Sequence, residues 1–295
     1  MSVYSAPWYT PAVQRLLDLA LEEDVGRGDV TTASVIDETQ EAEADIIAGE
    51  RSVVCGLGVV EAVFTRFDWR TRVRMKVADG DPVPATTVVA TVRGPAPALL
   101  AGERTALNFL QRLSGIATLT QAFVAAAEGA KIRITDTRKT TPGVRALEKY
   151  AVRIGGGANH RADLSSGVLI KDNHVALVGS VREAVRRARA QAPHALRIGV
   201  EVDTLAQLDE AIEAGAEVVL LDNFGSRDLT DAVKRVRERA PRVVLEASGG
   251  VTLDRIREIA KTGVDVVSIG ALTHSARAVD FSFAIRAAES RGGDR

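Results

Sequence analysis

Apolar and polar positions follow two different rhythms along this chain, and the change falls near residue 115. Before it, Val13, Leu16, Leu17 and Ala20 recur at helical spacing and predict an amphipathic helix over residues 11 to 23. From Asp29 to Gly94 the pattern is strand-like. Val73, Met75 and lastly Val77 alternate with Arg74 and Lys76, and the run ends in the turn signal Asp79-Gly80. The run Val88 to Val92 follows and is halted by Gly94-Pro95. Pro82, Pro84, Pro95 and Pro97 punctuate this half, as short antiparallel strands allow. A second helix is expected to open near Ala101, with Leu107, Leu110 and Leu113 as its apolar stripe, and to stop at Ser114-Gly115.

Beyond residue 130 short apolar runs alternate with amphipathic helical stretches. The runs are Ile132–Thr135, Val168–Ile170, Arg197–Val202, Val218–Leu221, Val243–Leu245 and Val266–Ile269. Ser180 with Glu183 and Thr204 with Gln207 have the spacing of helix capping boxes, and Gly215 and Gly263 stand where helices should end. Six strand-plus-helix units predict a parallel sheet, open or closed into a barrel. The runs are apolar throughout, as strands covered on both faces must be.

Composition narrows the class. With 295 residues, 46% hydrophobic and 26% charged, the chain is long enough for a substantial core and reads as globular. Its net charge of -1 provides no general attraction to nucleic acid or membrane, so neither partner is expected. A single cysteine, Cys55, excludes an internal disulfide, sits in an apolar run and is expected in the core. No run is long enough for a membrane span and no leader is visible, so a cytoplasmic location is expected.

Sites of parallel α/β folds form beyond the C-terminal ends of the strands. Here those ends read Asp136-Thr137-Arg138-Lys139, Lys171-Asp172-Asn173-His174, Glu201 with Asp203, Asp222-Asn223, Glu246-Ala247-Ser248-Gly249-Gly250 and Gly270-Ala271. Between Lys131 and Arg161 eight Lys or Arg face only Asp136 and Glu148, a local charge of +6. Arg145, Lys149 and Arg153 are spaced as a solvated helix face. Gly155-Gly156-Gly157 before His160-Arg161 is expected to bring backbone close to a ligand, with cations beside it. The implied ligand is a small molecule with several negative charges. Glu201 and Asp222 suit ribose hydroxyls and Mg²⁺, and Ser248, Gly249, Gly250 and Gly270 suit a phosphate. His274 is a site residue or a helix-cap residue, and His194 belongs in an exposed loop. Motifs for mononucleotide-phosphate loops, dinucleotide binding, metalloproteases and serine hydrolases are missing.

At these residues the sequence resembles the quinolinate phosphoribosyltransferase family, the nicotinate-nucleotide pyrophosphorylases. The likeness begins with Glu103-Arg104-Thr105-Ala106-Leu107-Asn108 and runs through Asp136 to Gly143, the triple glycine with His160-Arg161, and Ile170 to His174. It continues at Glu201-Val202-Asp203, Leu221 to Phe224, Glu246 to Gly250 and Gly270 to Ser275. The resemblance implies an α/β protein: an N-terminal α/β sandwich domain (1–115), a parallel α/β barrel-like catalytic domain with about six strands (116–275), and a C-terminal helix (276–295) returning to the first domain. It implies transfer of phosphoribosyl from phosphoribosyl pyrophosphate to quinolinate with loss of CO2, and a homodimer or hexamer with shared sites. Arg104 of a neighbouring subunit, Arg138, His160 and Arg161 would hold quinolinate, with Thr137 and His274 at the site. Lys139 and Lys171 would lie between the two substrates. Glu201 and Asp222 would bind ribose and, largely through ribose and water, Mg²⁺. Ser248, Gly249, Gly250 and Gly270 would cradle the 5-phosphate. Two alternatives stay open: a relative acting on another nitrogen heterocycle, as in homologues associated with molybdenum uptake, and a non-catalytic binder of anionic metabolites.

Overall fold

The computed structural model describes residues 6–288. After a 3-10 turn at Pro7–Tyr9 the order is α1 (Pro11–Val25), α2 (Val30–Val35), β1 (Glu41–Ala48), β2 (Ser52–Val53), α3 (Leu57–Phe67), β3 (Arg72–Met75), β4 (Pro82–Val83), β5 (Val88–Pro95) and α4 (Ala96–Ala126). Then come β6 (Arg133–Thr135), α5 (Arg145–Ile154), β7 (Val168–Ile170), α6 (Asp172–Val178), α7 (Val181–Gln191), β8 (Ile198–Val202) and α8 (Leu205–Glu213). The remainder is β9 (Val218–Asp222), α9 (Ser226–Arg239), β10 (Val244–Ser248), α10 (Leu253–Lys261), β11 (Val266–Ser268), α11 (Ala271–His274) and β12 (Phe281–Ala287). The chain forms two compact units, one of residues 1–119, 141–155 and 275–295, the other of 120–140 and 156–274.

The first unit is built on an antiparallel sheet ordered β12-β1-β5-β3. In β1 the residues Ala42, Ala44, Ile46 and Ala48 are buried while their alternates face outward, the period of two that a one-sided sheet requires. Leu17, Leu57, Phe64, Leu99, Leu107, Leu110 and Leu113 are fully buried, and each such side chain contributes about 1.5–3 kcal/mol. Cys55 lies in this core, where burial pushes its thiol pKa up.

Two expectations fail here. The helix expected to stop at Ser114-Gly115 runs on from Ala96 to Ala126. Gly115 is there because a side chain would collide with neighbouring backbone: a Cβ would lie 2.0 Å from the Arg277 carbonyl oxygen. The C-terminal helix expected over 276–295 is instead strand β12 as far as Ala287, and residues 289–295 lie outside the described residues. Phe281, Phe283 and Ile285 alternate along it; β12 completes the edge of β1, with Phe283 stacked on Phe64 at 5.8 Å.

The second unit is a six-stranded parallel sheet ordered β6-β11-β10-β9-β8-β7. All six apolar runs became these strands. β6 and β7 are its edges, so the barrel is incomplete, and the segment at Ala158 runs beside β6, where Ala158 N–H donates to the Ile134 carbonyl at 2.8 Å. The Ser180 and Thr204 hydroxyls accept the backbone N–H of Glu183 and Gln207 and cap α7 and α8, as their spacing predicted.

Candidate active site

Because side chains alternate along a strand, residues two apart share a face. Glu246 and Ser248 on β10, Leu220 and Asp222 on β9, Glu201 on β8 and Ser268 on β11 accordingly border one cavity of about 540 Å³. Strand register sets depth. Glu246 and Glu201 are both level with Leu220, whereas Ser248 is level with Asp222, one step nearer the C-terminal rim. The floor is therefore Glu246, Leu220 and Glu201, and the rim carries Asp222 and Ser248.

Cations enter from the segments after β6, α5 and β7. Arg138, Lys139, His160, Arg161 and Lys171 all border the cavity. Lys139 is steadied by backbone contacts: its N–H donates to Thr137 Oγ1 at 3.0 Å and its carbonyl accepts from Thr273 Oγ1 at 2.7 Å. Its stem crosses Gly270, where a Cβ would stand 2.9 Å from Lys139 Cδ and 3.2 Å from the His274 ring, so only glycine fits there without displacing one of them. His160 is fixed by Asp136, a fully buried carboxylate that accepts the His160 N–H at 2.9 Å and Asn159 Nδ2 at 2.5 Å. The Arg161 N–H donates to His160 Nδ1 at 2.7 Å, which leaves the ring proton on Nε2. Burial, and then the neighbouring charge of Arg138, lower the Arg161 guanidinium pKa from its ordinary value; the group stays charged.

The carboxylates and glycines come from β8, β9 and β10. Lys171 Nζ donates to Glu201 Oε2 at 2.5 Å, and Asp222 Oδ2 accepts from Asn223 Nδ2 at 2.7 Å. Gly249 has φ +91°, and a Cβ on it would lie 2.1 Å from Asn223 Oδ1, so glycine is required twice over. Arg255 Nη1 donates to the Gly250 carbonyl at 3.0 Å and ties down the loop ahead of α10.

The structure brings together every site residue expected from sequence except one. Arg104 lies on α4 in the first unit, exposed and 3.9 Å from Glu103, and does not line the cavity. The glycine triplet also behaves differently. Gly155 caps α5, and Gly156, at φ +88°, packs near Val124; neither they nor Gly157 line the cavity. Gly155 and Gly156 end the helix. Of the α5 cations only Arg153 matches the solvated face, since Lys149 is buried. Asp203 is exposed and borders a separate small recess, and His194 is exposed as expected. Sequence reasoning gave no role to Glu246, Ser268 and Asp136; period two counted back from Ser248 would have found Glu246. Among the described residues no group of three His, Cys, Asp or Glu could hold a metal, and no helix is long and apolar enough to cross a membrane.

Comparison with known proteins agrees with this geometry. Residues 29–114 match the family model for the quinolinate phosphoribosyl transferase N-terminal domain, and residues 116–284 match that for the C-terminal domain. A Bacillus subtilis protein named probable nicotinate-nucleotide pyrophosphorylase [carboxylating] is 44% identical over 92% of this chain and 92% of its own length. The Mycobacterium leprae nicotinate-nucleotide pyrophosphorylase [carboxylating] is 46% identical over 88% of this chain and 93% of its own. The crystal structure of NadC from Streptococcus pyogenes superposes with a TM-score of 0.90 at 41% identity, covering 95% of this chain and 99% of that one.

Proposed function

Because the chain belongs to the quinolinate phosphoribosyl transferase family, we infer that it is a pentosyltransferase joining quinolinate to phosphoribosyl pyrophosphate, with release of CO2 and pyrophosphate. The product is nicotinate mononucleotide, a precursor of NAD. One observation carries this reading to the residues: Arg138, Lys139, His160, Arg161 and Lys171 share a single cavity with Glu201, Asp222 and the Ser248–Gly250 loop. That donor set suits a dicarboxylate and a phosphorylated sugar side by side.

The pyridine nitrogen attacks the anomeric carbon while its bond to pyrophosphate oxygen breaks. Positive charge builds on the sugar, so positioning and electrostatics suffice and no protein nucleophile is needed. Arg138, His160 and Arg161 hold the acceptor carboxylates, with Thr137 and His274 beside them. Lys139 and Lys171 neutralise charge between the substrates. Glu201 and Asp222 engage ribose hydroxyls, and Ser248, Gly249, Gly250 and Gly270 receive the 5-phosphate. The cationic ring nitrogen then stabilises the electron pair left on the adjacent carbon when the carbon–carbon bond to CO2 breaks, and that carbon takes a proton.

Two carboxylates without a third ligand suit Mg²⁺ held mainly by donor oxygens and water, with Glu201 and Asp222 as its protein neighbours. When bound it would offset charge on the departing pyrophosphate. Arg104, exposed in its own chain, is proposed to reach the acceptor end from a second copy in a homodimer. A cytoplasmic location belongs to the same proposal. The test is product analysis with quinolinate labelled in its 2-carboxylate. Nicotinate mononucleotide and labelled CO2 should form in equal amounts, dependent on Mg²⁺; equal turnover of nicotinate, which lacks that carboxylate, would sink the reading.

A further inference from the structure

A carboxyl group on the cavity floor has no part in that mechanism. Glu246 is 4% exposed and borders the cavity. Its Oε1 and the buried Ser268 Oγ on the adjacent strand β11 make no hydrogen bond of normal geometry, although the Ser268 hydroxyl is near enough to Glu246 to lower its pKa. Its Oε2 lies 3.6 Å from His160 Nε2, the ring nitrogen that carries the proton. Buried polar atoms left without good hydrogen bonds are costly, and two of them on adjacent strands lining one cavity, Ser268 a step nearer the rim than Glu246, call for a partner that arrives with the ligand. An ionised Glu246 would repel a dianion entering among the cations. A neutral carboxylic acid would instead present an O–H donor.

We propose that Glu246, as a carboxylic acid, and Ser268 are further acceptor-contacting residues: each donates an O–H hydrogen bond to a carboxylate of the acceptor, whose binding carries a proton into the site. The proposal rests on the function assigned above. The groups facing Glu246 are His160 from the segment beside β6, Ser268 from β11, Glu201 from β8, Lys171 after β7 and Arg133 from β6. Burial is the largest influence and raises the Glu246 pKa, and the Glu201 charge adds to it. The Ser268 hydroxyl, Arg133 and Lys171 act in the opposite direction. An incoming dianion favours the neutral acid further. A group whose pKa is higher in the complex than in the free protein takes up a proton on binding. Acceptor affinity is then greatest below the free-protein pKa and falls, by up to about tenfold per pH unit, as pH rises towards the pKa of the complex.

Calorimetric titration of the full chain with quinolinate alone tests this, in buffers of different ionisation enthalpy from mildly acidic to alkaline pH, where both acceptor carboxyls are ionised. The wild-type protein should take up close to one proton per quinolinate, within the pH interval where affinity declines. Glu246→Gln should abolish both the uptake and the pH slope. Ser268→Ala should weaken binding several-fold and keep the slope, and phosphoribosyl pyrophosphate alone should show no such slope. The proton count on the wild-type protein needs no variant, so it stands if Glu246→Gln does not fold. Wild-type binding with no proton uptake at any pH overturns the proposal. So does a slope that survives in folded Glu246→Gln, and its loss in His160→Gln would then assign the proton to the imidazole. A wild-type protein that neither binds nor turns over quinolinate defeats the functional assignment instead.

Discussion

Glu201 and Asp222 stand at different depths in the cavity, because the register places Glu201 level with Leu220 and Asp222 one step higher. Their local commitments differ as well: Glu201 holds Lys171, and Asp222 holds the side chain of Asn223. Both are carboxylates on adjacent strands, whereas Arg138, His160 and Arg161 come from the β6 edge of the sheet. We therefore predict a division between the two ligands. Glu201→Gln and Asp222→Asn should each weaken phosphoribosyl pyrophosphate binding about ten- to hundredfold, the range for losing a hydrogen bond to a charged group, and should raise the Mg²⁺ requirement. Quinolinate binding should be unchanged or slightly tighter. Arg138→Ala and Arg161→Ala should show the reverse pattern. Calorimetric titration of each ligand separately checks this. An Asp222→Asn protein with normal donor binding and no quinolinate binding would show the assignment to be inverted.

At the scale of elements, glycine has two meanings that local sequence does not separate. Gly215 and Gly263 end helices, with φ of +84° and +87°. Gly115 sits inside a helix because the chain at Arg277 passes too close for any side chain. Alanine ordinarily gains about 1 kcal/mol over glycine in a helix interior. At this position the gain should be outweighed, and Gly115→Ala should destabilise the protein by about 1–3 kcal/mol through overpacking against backbone. Denaturant titration measures the difference. A more stable Gly115→Ala protein would mean that the Arg277 segment yields freely. The same passage of chain leads into β12, where Phe281, Phe283 and Ile285 already show period two. A short alternating stretch near a terminus is ambiguous until an unpaired strand edge, here that of β1, is there to receive it.

For the whole molecule the open question is where Arg104 acts. It matches the family pattern in sequence but is absent from the cavity lining of its own chain. If a second copy supplies it, Arg104→Ala and Lys139→Ala proteins, each inactive alone, should complement when mixed. A mixed dimer has one doubly damaged site and one intact site. Random exchange should therefore restore about a quarter of wild-type activity, the statistics of a two-fold assembly. Activity after verified subunit exchange is the measurement, and no recovery would place Arg104 outside the shared site.

The alternation of apolar and polar residues determined most of the architecture by itself. Six apolar runs became six parallel strands, and Ser180 and Thr204 capped the helices between them, because periodicity and capping act over a few residues. Motif order likewise marked Lys139, Lys171, Glu201, Asp222 and the Ser248–Gly250 loop, since strand ends of a parallel sheet share one face. Only the tertiary structure decided which segments meet. It assigned α5 to the first unit, turned an expected terminal helix into β12, and made Gly115 a point of close approach and the glycine triplet a helix end. It also buried Glu246 and Ser268 in the cavity lining without hydrogen bonds of normal geometry. Burial and pairing depend on partners tens to hundreds of residues away, and no local window of sequence contains them.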